Sequence, residues 1–227
     1  HPEATFFHLS GWRRILGDVL GHRTHYLYAE RDGELAGVLP LAQVKSLLFG
    51  NALVSTPFCV YGGIVAVDDE ARRALEDAAC ALAERLGVGH LEMRNLTRRR
   101  EDWKHKDLYV TFRKPIAGDP DENLKAIPRK QRAMVRKGIQ AGLGYEIDPG
   151  IDRFYQAYSE SVRNLGTPVL PKRYYASLLE VFGDRADVLT VTREGRLVAS
   201  VLSFYFRDEV LPYYGGGTDE ARAVKGN

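Results

Sequence analysis

The feature that most constrains this chain is a repeat. Arg31-Asp32-Gly33-Glu34-Leu35 returns as Arg193-Glu194-Gly195-Arg196-Leu197, each time between two apolar runs. Tyr61-Gly62-Gly63 with Asp69-Glu70-Ala71-Arg72 then returns as Tyr214-Gly215-Gly216 with Asp219-Glu220-Ala221-Arg222. Both copies run in the same order: a hairpin, a strand ending in Tyr-Gly-Gly, and an acidic helix start. Self-similarity over that length marks a duplicated unit. At 227 residues the chain suits two domains of roughly 110 residues each. Gly118-Asp119-Pro120-Asp121 is the best linker, which places a first domain at 1–118 and a second at 119–227. The first copy continues well past its acidic helix start and the second stops at Asn227, so the second unit is expected to be truncated at its C-terminus. The chain opens on His1 rather than Met, so a short piece is expected to be missing in front as well.

Composition narrows the class. An apolar fraction of 44% with 27% charged residues is that of a soluble globular protein. Its apolar runs fall far short of the ~20 residues a membrane-spanning helix needs. A net charge of +2 is too small to mark a bulk nucleic-acid binder. Cys59 and Cys80 sit in apolar settings, which favours reduced thiols and a cytoplasmic protein over a disulfide framework or metal site. The histidines have no mutual spacing that suggests a metal, and no Ser-His-Asp or Cys-His set is readable.

Periodicity gives the elements. Ser10 is a candidate N-cap for a first helix carrying Trp12, Ile15, Leu16 and Leu20. Strands follow at Tyr26 to Ala29, Leu35 to Val44 and Ala52 to Ser55. A helix from Asp69 to Leu86 faces Ala71, Leu75, Ala78, Ala79 and Leu82 inward, with acids at its start and Gly87 at its end. Further strands are predicted at His90 to Arg94 and Tyr109 to Arg113. The second half reads as a short helix from Asp121, a basic helix from Pro128 to Ala141, a strand at Tyr145 to Ile147, and helices at Ile151 to Asn164 and around Tyr174 to Phe182. It closes with strands at Val188 to Thr192, Leu197 to Phe206 and Val210 to Tyr214. The fold class is mixed α/β, an α+β arrangement of antiparallel hairpins with crossover helices.

That order resembles the acetyltransferase-like GNAT fold. Two such units in tandem, the second opened by a basic helix, resemble the Fem family of aminoacyl transferases. Three stretches carry the resemblance: Leu53 to Phe58 running into Tyr61-Gly62-Gly63-Ile64; Arg132 to Gly138 running into Gly142-Leu143; and Val162 to Pro168 with Tyr213 to Gly217. The chain is most similar to FemAB-related proteins found beside exopolysaccharide and PEP-CTERM protein-sorting systems. The resemblance implies an acyltransferase moving an aminoacyl or acyl group to an amine on a peptidoglycan-like or exopolysaccharide-associated acceptor. It leaves aminoacyl-tRNA and acyl-CoA both open as co-substrates, with no tightly bound cofactor. A cytoplasmic enzyme able to work at the inner membrane face fits that role. The alternatives are an acyl-CoA-dependent N-acyltransferase on a sugar amine, and a non-catalytic glycan- or RNA-binding module.

Acyl transfer needs aligned reactants, a neutral nucleophile and donors for the developing oxyanion. The absence of a readable nucleophile–base pair favours direct transfer between bound substrates over an acyl-enzyme, and no catalytic residue is singled out. Pro57, Phe58, Tyr61, Gly62 and Gly63 form the first candidate substrate site, since glycine admits close backbone approach and the aromatics can wall a ligand. The other reading is a strand-end turn. In the second copy Tyr213 and Tyr214 lead into Gly215, Gly216 and Gly217, where the resemblance implies a donor-phosphate site at a helix start. The run into Asp219-Glu220 argues against a pyrophosphate there. Arg163, Lys172, Arg173 and Tyr174 form a third candidate, where the resemblance implies a hold on a phosphate or carboxylate of the acceptor and an Arg fork with a Tyr hydroxyl suits that task; the other reading is a solvated helix edge. The basic helix from Arg129 to Lys137 could meet tRNA phosphates, the other reading being a solvated face, as for Arg98-Arg99-Arg100.

Overall fold

The computed structural model describes residues 1–48, 50–224 and 226. The chain divides into two compact units, His1–Lys104 and His105–Asn227. The stretch 105–118, assigned from sequence to the first domain, groups with the second unit.

In the first unit a short helix, α1 (Gly11–Arg14), continues as one π-helical stretch at Ile15–Val19. Ser10 is itself helical and makes no side-chain cap. Phe6, Phe7 and Trp12 pack edge-on or tilted with ring centroids 5.8–6.1 Å apart. Strands β1 (Arg23–Arg31), β2 (Glu34–Ser46) and β3 (Gly50–Ser55) form an antiparallel meander, and short β4 (Val65–Ala66) returns to pair with β2. Helix α2 (Asp69–Leu86) then crosses over to β5 (His90–Glu92), which pairs parallel to β3. Asp68 caps α2 by accepting from the Ala71 N–H, and Gly87 closes it in the left-handed conformation. Leu75, Ala79 and Leu82 of α2 pack on Leu39, Leu41 and Leu53 of the sheet. Ala78, expected inward, is exposed, and the buried carboxylate of Glu76 holds Arg72 (2.8 Å) and Arg100 (3.3 Å). The three consecutive arginines are thus ion-paired rather than merely solvated: Arg98 with Glu101, Arg99 with Glu3, Arg100 with Glu76 and Asp102.

In the second unit α3 (Pro120–Ala126) and α4 (Arg129–Gln140) precede β6 (Leu143–Ile147), α5 (Asp152–Asn164) and α6 (Lys172–Phe182). Pro128 stands at the cap of α4, just ahead of its first residue. Strands β7 (Ala186–Arg193), β8 (Arg196–Phe206) and β9 (Glu209–Gly217) complete an antiparallel sheet ordered β6-β7-β8-β9, and α7 (Asp219–Val224) follows. Two sequence expectations are corrected. Tyr109 to Arg113 is not a strand, and Tyr109 and Phe112 stand 92% and 91% exposed. The last strand does not end at Tyr214: Gly215 to Gly217 extend β9 and pair with Ala199 to Val201 of β8.

The repeat is physical. Each hairpin carries a bulge three residues beyond its turn glycine, at Ala36 and at Val198. The bulged carbonyl accepts from the helix-entry N–H at 2.9 Å in both units, from Val67 in one and from Thr218 in the other. Each hairpin arginine also reaches the glutamate of the acidic helix start, Arg31 to Glu70 (3.0 Å) and Arg193 to Glu220 (3.6 Å). By this wiring Gly217 corresponds to Ala66, so the two Tyr-Gly-Gly runs do not occupy equivalent places. The first lies in the excursion between β3 and β4, the second inside a strand.

Candidate functional site

In the first unit the excursion is shaped by strained backbone. Thr56 and Phe58, on either side of Pro57, have φ of 40° and 66°, a conformation that costs a non-glycine residue about 1–2 kcal/mol and persists only where neighbours enforce it. Thr56 is fully buried; its N–H donates to Pro40 O (3.1 Å) and its hydroxyl to Phe7 O (3.4 Å). Gly62 is required here, since a Cβ would lie 2.2 Å from Thr56 Oγ1 and φ is +133°. Gly63 faces Asn95, whose Oδ1 would be 2.0 Å from an added Cβ.

These glycines meet the turn after β5. The Gly63 N–H donates to Arg94 O (3.1 Å) and the Ile64 N–H to Asn95 Oδ1 (3.3 Å). The Arg94 guanidinium pairs with Glu92 (2.7 Å) and donates to the Cys59 carbonyl, while the Arg94 N–H donates to Ser55 Oγ (2.7 Å). His8 closes the arrangement. The Thr5 N–H donates to His8 Nδ1 (3.0 Å), so Nε2 carries the proton and donates to Gly63 O at 2.9 Å. Burial holds the imidazole below its usual pKa, against the smaller opposing pull of its bonds to Gly63 and Thr5. A cavity of about 130 Å³ lies among Thr5, His8, Tyr61, Arg94, Asn95 and Arg99. Tyr61, Gly62 and Gly63 line it as a group. Pro57 and Phe58 do not: Pro57 is buried, and Phe58 stacks on His22 with centroids 5.5 Å apart. Burial pushes the Cys59 thiol well up, so it is no thiolate nucleophile.

In the second unit the candidate cluster separates. Arg163, near the C-terminal end of α5, lines an open groove of about 760 Å³ with Gln156, Ser159, Glu160 and Thr167. Lys172 pairs instead with Asp152 (2.6 Å) at the other end of α5, about 16 Å away along the helix. Arg173 is exposed on the first turn of α6. Tyr174 is fully buried, which removes it as a direct substrate contact; its hydroxyl bonds that of Tyr214 at 2.9 Å. Both lie in an aromatic nest with Tyr158 and Tyr175, whose phenols burial pushes up and keeps protonated. Tyr213 is the extra residue of a bulge, since Leu202 pairs with Tyr214 and Ser203 with Pro212. The bulge turns its ring onto Phe204 and Tyr214. Gly216 admits α5: a Cβ there would stand 2.7 Å from Tyr158 Cα and 2.9 Å from Ala157 O. On α4, Arg129, Lys130, Arg136 and Lys137 are exposed, and so are Met134, Val135 and Ile139.

The residues missed from sequence are Thr5, His8 and Asn95, which only long-range folding brings to Tyr61. No local pattern marks them.

Residues 125–226 match the family model described as an acetyltransferase (GNAT) domain. No curated protein matches the chain. Among solved structures, the crystal structure of FemX superposes over 99% of this chain and 78% of its own, with a TM-score of 0.70 and 16% identity. The C-terminal domain (DUF2156) of a putative lysylphosphatidylglycerol synthetase from Agrobacterium fabrum covers 92% of this chain and 64% of its own, at a TM-score of 0.48 and 13% identity. The chain has the mixed α/β fold of FemX, and the match to the acetyltransferase (GNAT) domain model falls within its second unit.

Proposed function

We propose that the protein transfers an aminoacyl or acyl group directly to an amine on a cell-envelope acceptor, peptidoglycan-like or exopolysaccharide-associated as in the FemAB-related proteins of PEP-CTERM systems. The observation that carries this reading is the FemX fold over 99% of the chain, joined to the GNAT match at 125–226. In direct transfer the neutral amine attacks the acyl carbon, the C–N bond forms, and the bond to the leaving oxygen or sulfur breaks with its electron pair, the leaving group taking up the proton that the amine nitrogen loses. No acyl-enzyme is needed, in keeping with a Cys59 thiol that burial holds protonated.

The cavity at Tyr61, Gly62 and Gly63 and the groove at Arg163 are the proposed substrate sites, the second suited to an acceptor anion. The exposed cations of α4 are the proposed contact for tRNA phosphates if the donor is aminoacyl-tRNA. A second reading, acyl-CoA as donor and a sugar amine as acceptor, is favoured by the GNAT match alone. Alanine replacement of Tyr61 and of Arg163 tests the assignment in a transfer assay with both donors. Each variant is expected to lose about tenfold or more in kcat/KM, the scale of one lost charge-assisted or positioning contact. Parental rates in both would remove these sites.

A further inference from the structure

One hairpin of the first unit ends in two leucines that the fold does not bury. Leu47 is fully exposed and Leu48 is 87% exposed. They stand at the tip of the β2–β3 turn, just beyond the Ser46–Gly50 pair that closes the ladder. The turn is held by other groups: the Ser46 hydroxyl accepts the Leu48 N–H at 3.2 Å, and Gly50 takes a φ of +89°. The repeat shows that the architecture does not ask for apolar residues here. In the second unit the equivalent β8–β9 turn lies beyond the Phe206–Glu209 pair and carries Arg207 and Asp208, both exposed. Single apolar residues on a surface need no explanation. Two neighbours at a tip whose counterpart is charged do, and no packing inside the chain supplies one.

The surface behind the tip is cationic. Lys45 stands two residues back on β2, ~7 Å along the strand. Arg85 lies in the last turn of α2, and that end of α2 meets the hairpin: Asn51, opposite Lys45 in the ladder, donates to Gly87 O at 3.3 Å. Arg23 opens β1 opposite Gln43. All three cations are exposed, and no ion pair among the described residues holds them. The acids of the adjoining segments are Glu84 and Asp18, so the balance stays positive. A protein partner is a poor match, because two side chains fall far short of the ~1,000 Å² that a specific interface buries. An anionic bilayer meets both features at once. Apolar side chains enter the boundary between headgroups and acyl chains by about 5–10 Å, a depth that brings Lys45 to the lipid phosphates. We infer that the β2–β3 tip docks the first unit on an anionic lipid surface, with Leu47 and Leu48 inserted and Lys45, Arg85 and Arg23 on the headgroups. The inference stands apart from the acyl-transfer reading.

Co-sedimentation of the whole chain with lipid vesicles tests this without any turnover. The probes are vesicles of phosphatidylcholine alone and of phosphatidylcholine with about one-third phosphatidylglycerol, an anionic surface. The chain is expected to bind the anionic vesicles, and Leu47→Ser and Leu48→Ser should each weaken that binding about tenfold. Lys45→Gln and Arg85→Gln should each weaken it about fivefold, and high salt should erase the preference for anionic lipid. In Leu48→Trp, emission measured against the parent should shift to the blue on anionic vesicles, which reports entry of the tip itself. Thermal melting checks that the variants remain folded. No binding of the parent at millimolar anionic lipid, parental binding by the Leu47→Ser, Leu48→Ser double variant, or unshifted Leu48→Trp emission in the bound protein would each overturn the proposal. So would a dimer in size-exclusion chromatography that the double variant abolishes, since a second copy would then cover the leucines. No transfer is read in these measurements, so lipid docking and acyl transfer fail separately.

Discussion

Two adjacent glycines in one strand should behave oppositely. At Gly216 an added Cβ would fall 2.7 Å from Tyr158 Cα, 2.9 Å from Ala157 O and 2.9 Å from Ser161 Cβ. The first two are backbone atoms of α5, so no rotamer change relieves them and the helix itself must shift. At Gly215 the nearest atoms would be Val201 side-chain carbons at 3.6 and 3.8 Å, an ordinary contact. Overpacking of the first kind costs about 1–3 kcal/mol. Alanine regains about 0.5–1 kcal/mol over glycine in a strand. Gly216→Ala should therefore lose about 1–2 kcal/mol net, a fall of roughly 5–10 °C in melting temperature for a unit of this size. Gly215→Ala should be neutral or slightly stabilising. Scanning calorimetry of the intact chain reads both, and hydrogen exchange in α5 localises the effect. Equal stability of the two variants would refute the account of Gly216 as a helix-packing position. A loss of donor affinity in both, with stability unchanged, would restore the glycines to a phosphate site.

Three further outcomes follow from the same geometry. Asp148 is buried against Arg153 and the Thr190 hydroxyl (2.8 Å), and Thr190 in turn bonds Ser200 (2.9 Å). Asp148→Asn should cost about 2–3 kcal/mol by denaturant titration. Burial alone would raise the Asp148 pKa, but Arg153 and Thr190 outweigh it and hold it low. Its contribution is therefore complete above the unfolded value near 3.8 and is lost as pH falls through the lower folded value, a window that should be flattened in the Asn variant. For His8, burial depresses the folded pKa, so stability is complete above about 6.5 and declines as pH falls towards the folded value. His8→Gln should remove that decline, which urea midpoints between pH 7 and 5 would record. Arg31 holds Asp68 down to about 2, chiefly through their hydrogen bond. In Arg31→Ala, an NMR titration should find Asp68 closer to the ordinary value near 3.8, and an unchanged value would show the helix cap to be the cause.

How much of this was legible depended on how local each cause is. Helix α2 was read to the residue, because apolar spacing, an acidic first turn and Gly87 all lie within it. The paired hairpins were also visible, since the turn chemistry of Arg31 to Glu34 and Arg193 to Arg196 is contiguous. Tyr109 to Arg113 was misread because β-branched and aromatic residues favour a strand without supplying its partner. The last strand was ended at Tyr214 because register, not composition, decides that Gly215 to Gly217 extend β9. Tyr174 was taken for a contact residue although Leu178 and Phe182, on the same helical face, already placed it towards the core. The rest of the cavity lining escaped notice for a different reason: His8, Tyr61 and Asn95 come from three distant segments that meet through hydrogen bonds at Gly63 and Ile64.

The central claim is that this chain moves an acyl group between two bound substrates. The most direct measurement is a single-turnover incubation with radiolabelled aminoacyl-tRNA or acyl-CoA and a panel of peptide and sugar amines. The account predicts label in a new amide on one acceptor, with no label retained on the denatured protein. Tight binding of donor or acceptor with no amide formed, at any donor offered, would contradict it and leave a binding module in its place.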